Sequence, residues 1–436
     1  MNTTAEQLMR FIQAAPTAFH TVQALREILL SRGFTELAEE LPWGRLSPGG
    51  SYFVTRNSSS VISFRLPEEQ PFRSFLIMAS HSDSPAFRLK AGPELESAGA
   101  YVRLNAERYG GMLMSPWFDR PLTLAGRVMV RTGEGASERL IYLDRDLLLI
   151  PSLAIHMDRE ANSGKKLSAQ TDLLPLYGPL TAKGALAREI AAAAGVSPEE
   201  LLSSELFIVN RDRPALWGAE NAYLSAPRLD DLACAYCTFP GFLNAENASH
   251  VTVHAVFDNE EVGSGTKQGA SSTFLRDTLR RISLSLGLPE EHVYTAAAQS
   301  FMVSADNAHA VHPAHPEKAD PLNRPLMNGG IVIKHSANQK YTTDAVSEAV
   351  IRQAAEKAGV PCQVFTNNSD QPGGSTLGNL SSVQAPMAAA DIGLAQLSMH
   401  SPFETMGAED PEYLARFSLA FYSSALTRRG SSWRLS

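Results

Sequence analysis

A short apolar run that ends in two adjacent glutamates constrains this chain more than any other feature. Residues Val251–Phe257 predict a buried strand, because the run is short, rich in β-branched residues and bounded by turn formers. Glu260, Glu261 and a glycine-rich turn follow it. Two carboxylates at the end of a core strand raise each other's pKa unless a cation lies nearby. A bound metal ion removes this repulsion between the carboxylates, because one of them binds the ion and the other can transfer protons. For an isolated Glu-Glu pair the simpler interpretation is a solvated loop.

The order of strand and helix patterns predicts an α/β fold with an insertion. Strands and helices alternate after about residue 225, and residues 1–87 supply further elements of the same kind. Such alternation is typical of a mostly parallel sheet covered by helices on both faces. We therefore predict one α/β domain of residues 1–87 and 221–436, interrupted by a β-rich domain of residues 88–220. The later predicted helices are Leu232–Phe239, Ser271–Leu286, Thr343–Lys357, Ser375–Val383 and Pro411–Leu426.

Charge and composition restrict the partners of this chain. The formal net charge is -8 and no dense Lys/Arg run occurs, which argues against nucleic acid. No segment approaches the roughly 18 uninterrupted apolar residues of a membrane helix, and the N-terminal residues lack the pattern of a signal peptide. Three cysteines are too few for a disulfide framework, so we expect a cytoplasmic protein with reduced thiols.

Five short motifs carry candidate metal ligands, and four of them follow strand-like runs. Functional groups collect at the carboxyl ends of strands in open α/β sheets. Two imidazoles with several carboxylates suit zinc, cobalt or manganese, whereas calcium prefers all-oxygen cages. Any one of these residues is more often an ordinary polar group, but five such motifs together predict a metal site. The motifs are His81-Ser-Asp83, Asp230-Asp231, Glu260-Glu261, Asp306 and His400.

Longer motifs around these residues occur along the chain in one order. They are Ser80-His-Ser-Asp-Ser-Pro85, Pro227-Arg-Leu-Asp-Asp231, Asp258-Asn-Glu-Glu-Val-Gly-Ser264, Ser304-Ala-Asp-Asn-Ala-His-Ala-Val-His-Pro313 and Met399-His-Ser401. In these motifs the sequence resembles the aspartyl aminopeptidase family of cocatalytic two-metal exopeptidases. The resemblance spans nearly the whole chain. It implies an α/β/α metallopeptidase sandwich in which the inserted β-rich domain serves dimerisation.

The resemblance also implies a metal centre with assigned ligands. Two divalent metal ions per subunit are expected, with zinc favoured over cobalt or manganese. Asp230 would bridge both ions. His81 and Asp306 would complete one site, and Glu261 and His400 the other.

Four further residues receive roles from the same resemblance. Glu260 would be the general base. Asp83 would accept a hydrogen bond from the second ring N–H of His81 and so orient that ring. His156, in the inserted domain, would reach the active site of a neighbouring subunit. Lys334 would line the substrate pocket and favour acidic side chains. Family members assemble as a tetrahedral dodecamer built from dimers.

The predicted function is therefore a metal-dependent aminopeptidase that removes N-terminal residues from peptides and prefers Asp or Glu. Departures from the family pattern at Ala314, Gly373, Asn379 and Ala395 lie near the specificity pocket or subunit contacts and touch no proposed ligand. Three alternatives stay open. They are an aminopeptidase of neutral or broad specificity, a deacylase or carboxypeptidase on the same sheet, and a catalytically silent assembly or binding protein.

Overall fold

A computed structural model describes residues 3–371 and 373–436 of the chain. Its first helix begins with a capping box, in which the Thr3 side chain accepts the backbone N–H of Glu6 at 3.2 Å while the Glu6 carboxylate accepts that of Thr3 at 3.0 Å. The α-helices of the described residues are α1 (Thr4–Ala14), α2 (Ala18–Ser31), α3 (Ala185–Ala194), α4 (Leu229–Cys237), α5 (Phe239–Asn244), α6 (Phe274–Ser285), α7 (Glu290–Ala298), α8 (Ala345–Ala358), α9 (Leu377–Gln384) and α10 (Asp410–Tyr422).

The strands alternate with these helices and fall into three sheets and a C-terminal hairpin. In chain order they are β1 (Thr35–Glu36), β2 (Ser51–Arg56), β3 (Ser60–Arg65), β4 (Phe75–His81), β5 (Ala86–Ser97), β6 (Tyr101–Tyr109), β7 (Leu122–Thr132), β8 (Gly135–Tyr142), β9 (Leu176–Pro179), β10 (Leu201–Asn210), β11 (Ala215–Trp217), β12 (Tyr223–Ala226), β13 (Val251–Phe257), β14 (Phe301–Ala305), β15 (Ala308–His309), β16 (Ile331–His335), β17 (Cys362–Thr366), β18 (Ala388–Gly393), β19 (Ala395–Leu397), β20 (Glu404–Gly407), β21 (Leu426–Arg429) and β22 (Ser432–Leu435).

The central sheet has nine strands in the order β1-β2-β3-β13-β4-β14-β18-β16-β17. Its middle pairs, from β13 through β4 and β14 to β18, are parallel. Both β4 and β13 are buried along their whole length, which explains why they read as continuous apolar runs. One apolar core lies between the sheet and α1, α2, α4, α8 and α10, and a second core packs α6 and α9 on the other face. The chain therefore has the predicted α/β fold.

A second sheet of six strands, ordered β8-β7-β10-β5-β6-β9, lies between Ala86 and Asn210 in sequence. It has its own core, to which α3 contributes Leu186 and Ile190. Gly126 in β7 has φ +151°, and a side chain there would collide with the backbone of Glu205 in β10. Glycine is thus required where these two strands approach most closely.

The third sheet is small but positions part of the site. Its order is β11-β12-β20-β19-β15, so strands from distant parts of the chain lie side by side. β12 pairs antiparallel with β20, which brings Ala226 opposite Glu404. The segments that follow β12 and β19 are thereby brought together.

The structure differs locally from the predicted helices. The helix predicted over Pro411–Leu426 ends at Tyr422, and Leu426 begins β21, where its N–H is donated to Nε2 of His250 at 3.2 Å. Leu426 is buried, so it continues the apolar sequence pattern of the helix although the helix itself has already ended. The short helices α5 and α7 were not predicted, and α5 contains Pro240 and Gly241, which usually break helices. No helix described in residues 3–371 or 373–436 is long and apolar enough to cross a membrane.

Candidate active site

The predicted metal ligands lie at one edge of the central sheet. His81 is the last residue of β4, Asp306 directly follows β14, and Glu261 lies in a short 3-10 turn after β13. Because β13, β4 and β14 are adjacent and parallel, these residues emerge at the same edge. Asp230 and His400 reach this edge from the third sheet, where they follow β12 and β19.

The carboxylate of Asp230 lies between the two histidines. Its Oδ1 is 3.5 Å from Nε2 of His81, and its Oδ2 is 3.5 Å from Nε2 of His400. Nε2 of His400 is also 3.4 Å from Oε2 of Glu261, and Nε2 of His81 is 3.9 Å from Oδ1 of Asp306. The five side chains therefore form two groups that share Asp230.

The chemistry of these groups fits a bound cation. Buried carboxylate oxygens of Asp230, Asp231 and Glu261 have no hydrogen-bond partner among the described residues. An unpaired buried carboxylate oxygen is costly, and a metal ion removes the cost. Ligand atoms of Asp230, Glu261 and His400 lie within 4.8 Å of one another, as do those of His81, Asp230, Asp231 and Asp306. Mixed imidazole and carboxylate donors of this kind suit zinc.

The protein alone holds these carboxyl groups at unequal pKa values. Burial raises the pKa of Glu260 to about 8, with Asp306, Asp83 and Asp230 adding to the rise and His81 opposing it. Burial works against the charged form of Asp230 too, but the two histidines beside its carboxylate lower its pKa below the ordinary value. Asp230 is thus the anionic centre, and Glu260 is a carboxyl group that can exchange a proton near neutral pH.

Asp83 connects a histidine to the glutamate pair. Its Oδ1 lies 3.3 Å from Nδ1 of His81, and its backbone carbonyl lies 3.0 Å from the same nitrogen. The two carboxylate oxygens also accept the backbone N–H groups of Glu260 and Glu261, each at 3.1 Å. These contacts leave Nε2 of His81 directed at Asp230, and the orienting role of Asp83 stays a prediction.

Strand β6 and the turn after it supply two contacts that the sequence did not reveal. Tyr109, the last residue of β6, donates its hydroxyl to Oδ2 of Asp83 at 2.6 Å. The carbonyl of Gly111 lies 2.6 Å from Nδ1 of His400. The only signal at this place is a Tyr-Gly-Gly sequence after a strand, which is too common to point to a site.

Lys334 is part of the buried site rather than an exposed charge. Its Nζ lies 3.3 Å from Oδ2 of Asp306, donates to the carbonyl of Asn307 at 3.1 Å and lies 5.2 Å from the ring centre of Tyr341. Burial lowers the pKa of Lys334, but Asp306 and other nearby acidic groups raise it above its ordinary value overall. The lysine is therefore a fixed cation beside one group of ligands.

His156 lies apart from these contacts. It is exposed, in a segment whose neighbours Ile155 and Met157 are also exposed. It makes no hydrogen bond or ion pair with any other residue that the structure describes. The role predicted for His156 in a neighbouring subunit therefore stays a prediction.

Known proteins match the chain over nearly its whole length. The family described as Aminopeptidase I zinc metalloprotease (M18) matches residues 11–422. A probable M18 family aminopeptidase 2 of Clostridium acetobutylicum is 43% identical over 427 residues, covering 96% of this chain and 98% of the relative. Aspartyl aminopeptidase 1 of Schizosaccharomyces pombe is 36% identical over 452 residues, covering 96% and 94%.

A solved structure extends this similarity to three dimensions. The dodecamer of mApe1 from S. cerevisiae superposes with a TM-score of 0.84 at 27% identity, covering 96% of each chain. Fold and sequence agree. The chain belongs to the M18 family of zinc metalloproteases and is a metal-dependent aminopeptidase.

Proposed function

We propose that this aminopeptidase binds two zinc ions per chain and removes acidic N-terminal residues from peptides. The observation that supports two ions is the position of Asp230, whose two oxygens face different histidines, each 3.5 Å away. His81 and Asp306 would hold one ion with Asp230, and Glu261 and His400 the other. Cobalt or manganese would suit the same donors.

Glu260 is proposed as the general base. Bound zinc supplies Lewis acidity and lowers the pKa of a water molecule toward 7. Glu260 accepts the proton of the attacking water and then delivers it to the leaving amine. Its backbone N–H donates to Oδ1 of Asp83 at 3.1 Å, which holds the turn that carries Glu260 in place.

The preference for acidic residues is supported by the side chains around the site. A cavity of about 360 Å³ lies beside the segment that leads to His400. Three histidines and a lysine line it, and Lys334 lies one strand away against Asp306. Positive and proton-donating groups favour a carboxylate in such a cavity. The relative named aspartyl aminopeptidase 1 points in the same direction. The cavity residues are His309, His312, His315 and Lys318.

A homo-oligomer is proposed because one similar structure is a dodecamer. The exposed segment around His156 carries apolar side chains, with Leu153 51%, Ile155 48% and Met157 75% exposed. Exposed apolar residues of this density are typical of a contact surface. We propose a tetrahedral dodecamer of dimers in which His156 enters a neighbouring active site and stabilises the oxyanion. The unpaired cysteines support a cytoplasmic location.

A panel of amino-acid arylamides tests the reaction and the preference together. Metal-stripped protein is supplied again with zinc, cobalt or manganese and assayed on Asp, Glu, Leu and Lys arylamides. We expect activity to return with metal and to be highest on Asp and Glu. A higher rate on Leu would favour the neutral or broad alternative. Activity only on N-acyl substrates or on C-terminal residues would favour a deacylase or a carboxypeptidase. If the protein binds two ions and shows no activity, a silent assembly protein would be favoured.

A further inference from the structure

A buried glutamate contacts the backbone of two metal ligands from behind the site. Glu404, in β20, is only 1% exposed. Its Oε2 accepts the backbone N–H of Asp230 at 2.9 Å, and its Oε1 accepts that of His400 at 2.7 Å. Hydrogen bonds to a carboxylate are short and strong, so one side chain fixes the distance between these two ligand segments.

Two amides extend this contact to the rest of the site. Nε2 of Gln396 lies 3.4 Å from Oε1 of Glu404, and Oε1 of Gln396 accepts Nδ2 of Asn307 at 2.9 Å. Asn307 also donates to the carbonyl of Leu229 at 2.9 Å, and it directly follows the ligand Asp306. Glu404 thus belongs to a buried polar network that is joined to three ligand segments.

We propose that Glu404 is a positioning residue that sets the affinity of one of the two zinc ions, the ion held by Glu261 and His400. This inference rests on the proposed two-ion function. Glu404 fixes the backbone of His400, which has φ 65° and lies in the irregular turn after β19. The other histidine, His81, ends a central strand and is oriented by Asp83. The affinity for the ion beside His400 therefore depends on Glu404 more strongly than the affinity for the ion beside His81 does.

The variant Glu404→Gln tests this dependence with little change in volume. An amide has one acceptor oxygen, so its NH₂ group would face the N–H of Asp230 or of His400. We expect one zinc ion to bind nearly as in the wild type and the other to bind about 10- to 100-fold more weakly. Competition with a chromophoric chelator measures both affinities. The absorption spectrum of the cobalt-loaded protein should change as well, because it reports ligand geometry.

Asp410 provides a matched control. It is also a fully buried carboxylate that accepts two backbone N–H groups, from Asn328 at 2.7 Å and Gly330 at 3.0 Å, but neither belongs to a proposed ligand. Asp410→Asn should lower thermal stability and leave both zinc affinities and the cobalt spectrum unchanged. Unchanged affinities in Glu404→Gln, or an equal loss in Asp410→Asn, would overturn the positioning role.

Two further outcomes keep the inference separate from the proposed function. If the wild type takes up one ion only, the two-ion function fails, while Glu404 is still tested by that ion because Asp230 belongs to both groups. If Glu404→Gln does not fold, Glu404→Asp replaces it. The shorter carboxylate keeps the charge but cannot span both N–H groups, so a loss of several-fold is expected. Wild-type affinity in Glu404→Asp would then reject the proposal.

Discussion

The carboxylate of Asp83 accepts the backbone N–H of Glu261 at 3.1 Å. The same carboxylate lies 3.3 Å from Nδ1 of His81. A proposed metal ligand at the end of one strand and another in the turn after the neighbouring strand therefore contact the same carboxylate. This arrangement explains why the histidine and the glutamate pair keep their relative positions although they are about 180 residues apart in sequence.

Removing the hydroxyl that supports Asp83 should weaken the metal centre. Tyr109 donates to Asp83 at 2.6 Å and accepts Nδ2 of Asn259 at 2.9 Å. We expect Tyr109→Phe to lower zinc affinity by about 10-fold, the lower end for a residue that orients a ligand. Chelator competition measures the change. Tyr142→Phe is the control, since this tyrosine of the same sheet bonds Arg211 instead. Equal zinc affinities in both variants would mean that Tyr109 only packs.

Variants of Glu260 and of its neighbour Glu261 should distinguish a loss of catalysis from a loss of metal binding. Glu260→Gln is expected to keep both zinc ions and to lower kcat by at least about 100-fold, because the proton acceptor is lost. Glu261→Gln should instead lose zinc, since it removes a ligand. Metal analysis and arylamide turnover measure the two effects. Near-normal turnover in Glu260→Gln would rule it out as the base.

The fold was predictable wherever burial leaves a continuous pattern. β13 and β4 lie between two layers of helices, so their sequences are apolar throughout. The third sheet was not predictable. Its strands β19 and β20 have three and four residues, and the pairing of β20 with β12 joins segments about 180 residues apart. The periodicity of such short strands carries too little information to identify them.

The site was predictable only where ligand chemistry marks the sequence. Histidine and acidic residues after core strands, such as His81 and Asp306, are unusual enough to notice. Tyr109 resembles an ordinary strand residue, and Gly111 acts through its backbone carbonyl, which any residue would supply. Glu404 resembles a surface glutamate in sequence but is 1% exposed. Contacts made through the backbone or after long-range folding leave no local pattern.

Lys334 provides a test of substrate preference. Its charge lies 3.3 Å from Asp306, so its removal is expected to affect the whole site to some degree. Lys334→Met should nevertheless raise KM for Asp and Glu arylamides at least about 10-fold more than for Leu arylamide, because only the acidic substrates lose an opposite charge. The variant Lys318→Ala distinguishes the effect of Lys334 from that of Lys318, the lysine that lines the neighbouring cavity. Equal changes for all three substrates in Lys334→Met would remove its role in specificity.

His156 provides a test of the assembly. Its side chain is exposed and unbonded within the described chain, so His156→Ala should leave thermal stability unchanged. If it acts in a neighbouring subunit, turnover should fall, and co-assembly with inactive Glu260→Gln chains should restore part of the activity. Restoration occurs because some active sites then combine an intact Glu260 with an intact His156. Mixed assemblies that stay inactive would contradict a shared site.

His250 should contribute a loss of stability with acid in the metal-free protein. Burial, aided by Arg73, lowers the pKa of His250 from 6.5 to about 4, and its Nε2 accepts the N–H of Leu426 at 3.2 Å. Between these pH values the unfolded chain binds a proton that the folded chain excludes, so the free energy of unfolding decreases as pH falls, by about 1.4 kcal/mol per unit for this residue. In the presence of a chelator, His250→Gln should show a shallower loss of unfolding free energy than the wild type. Ser74→Ala, which removes only the partner of Nδ1, should keep the slope. A slope unchanged in His250→Gln would assign the acid sensitivity to other groups.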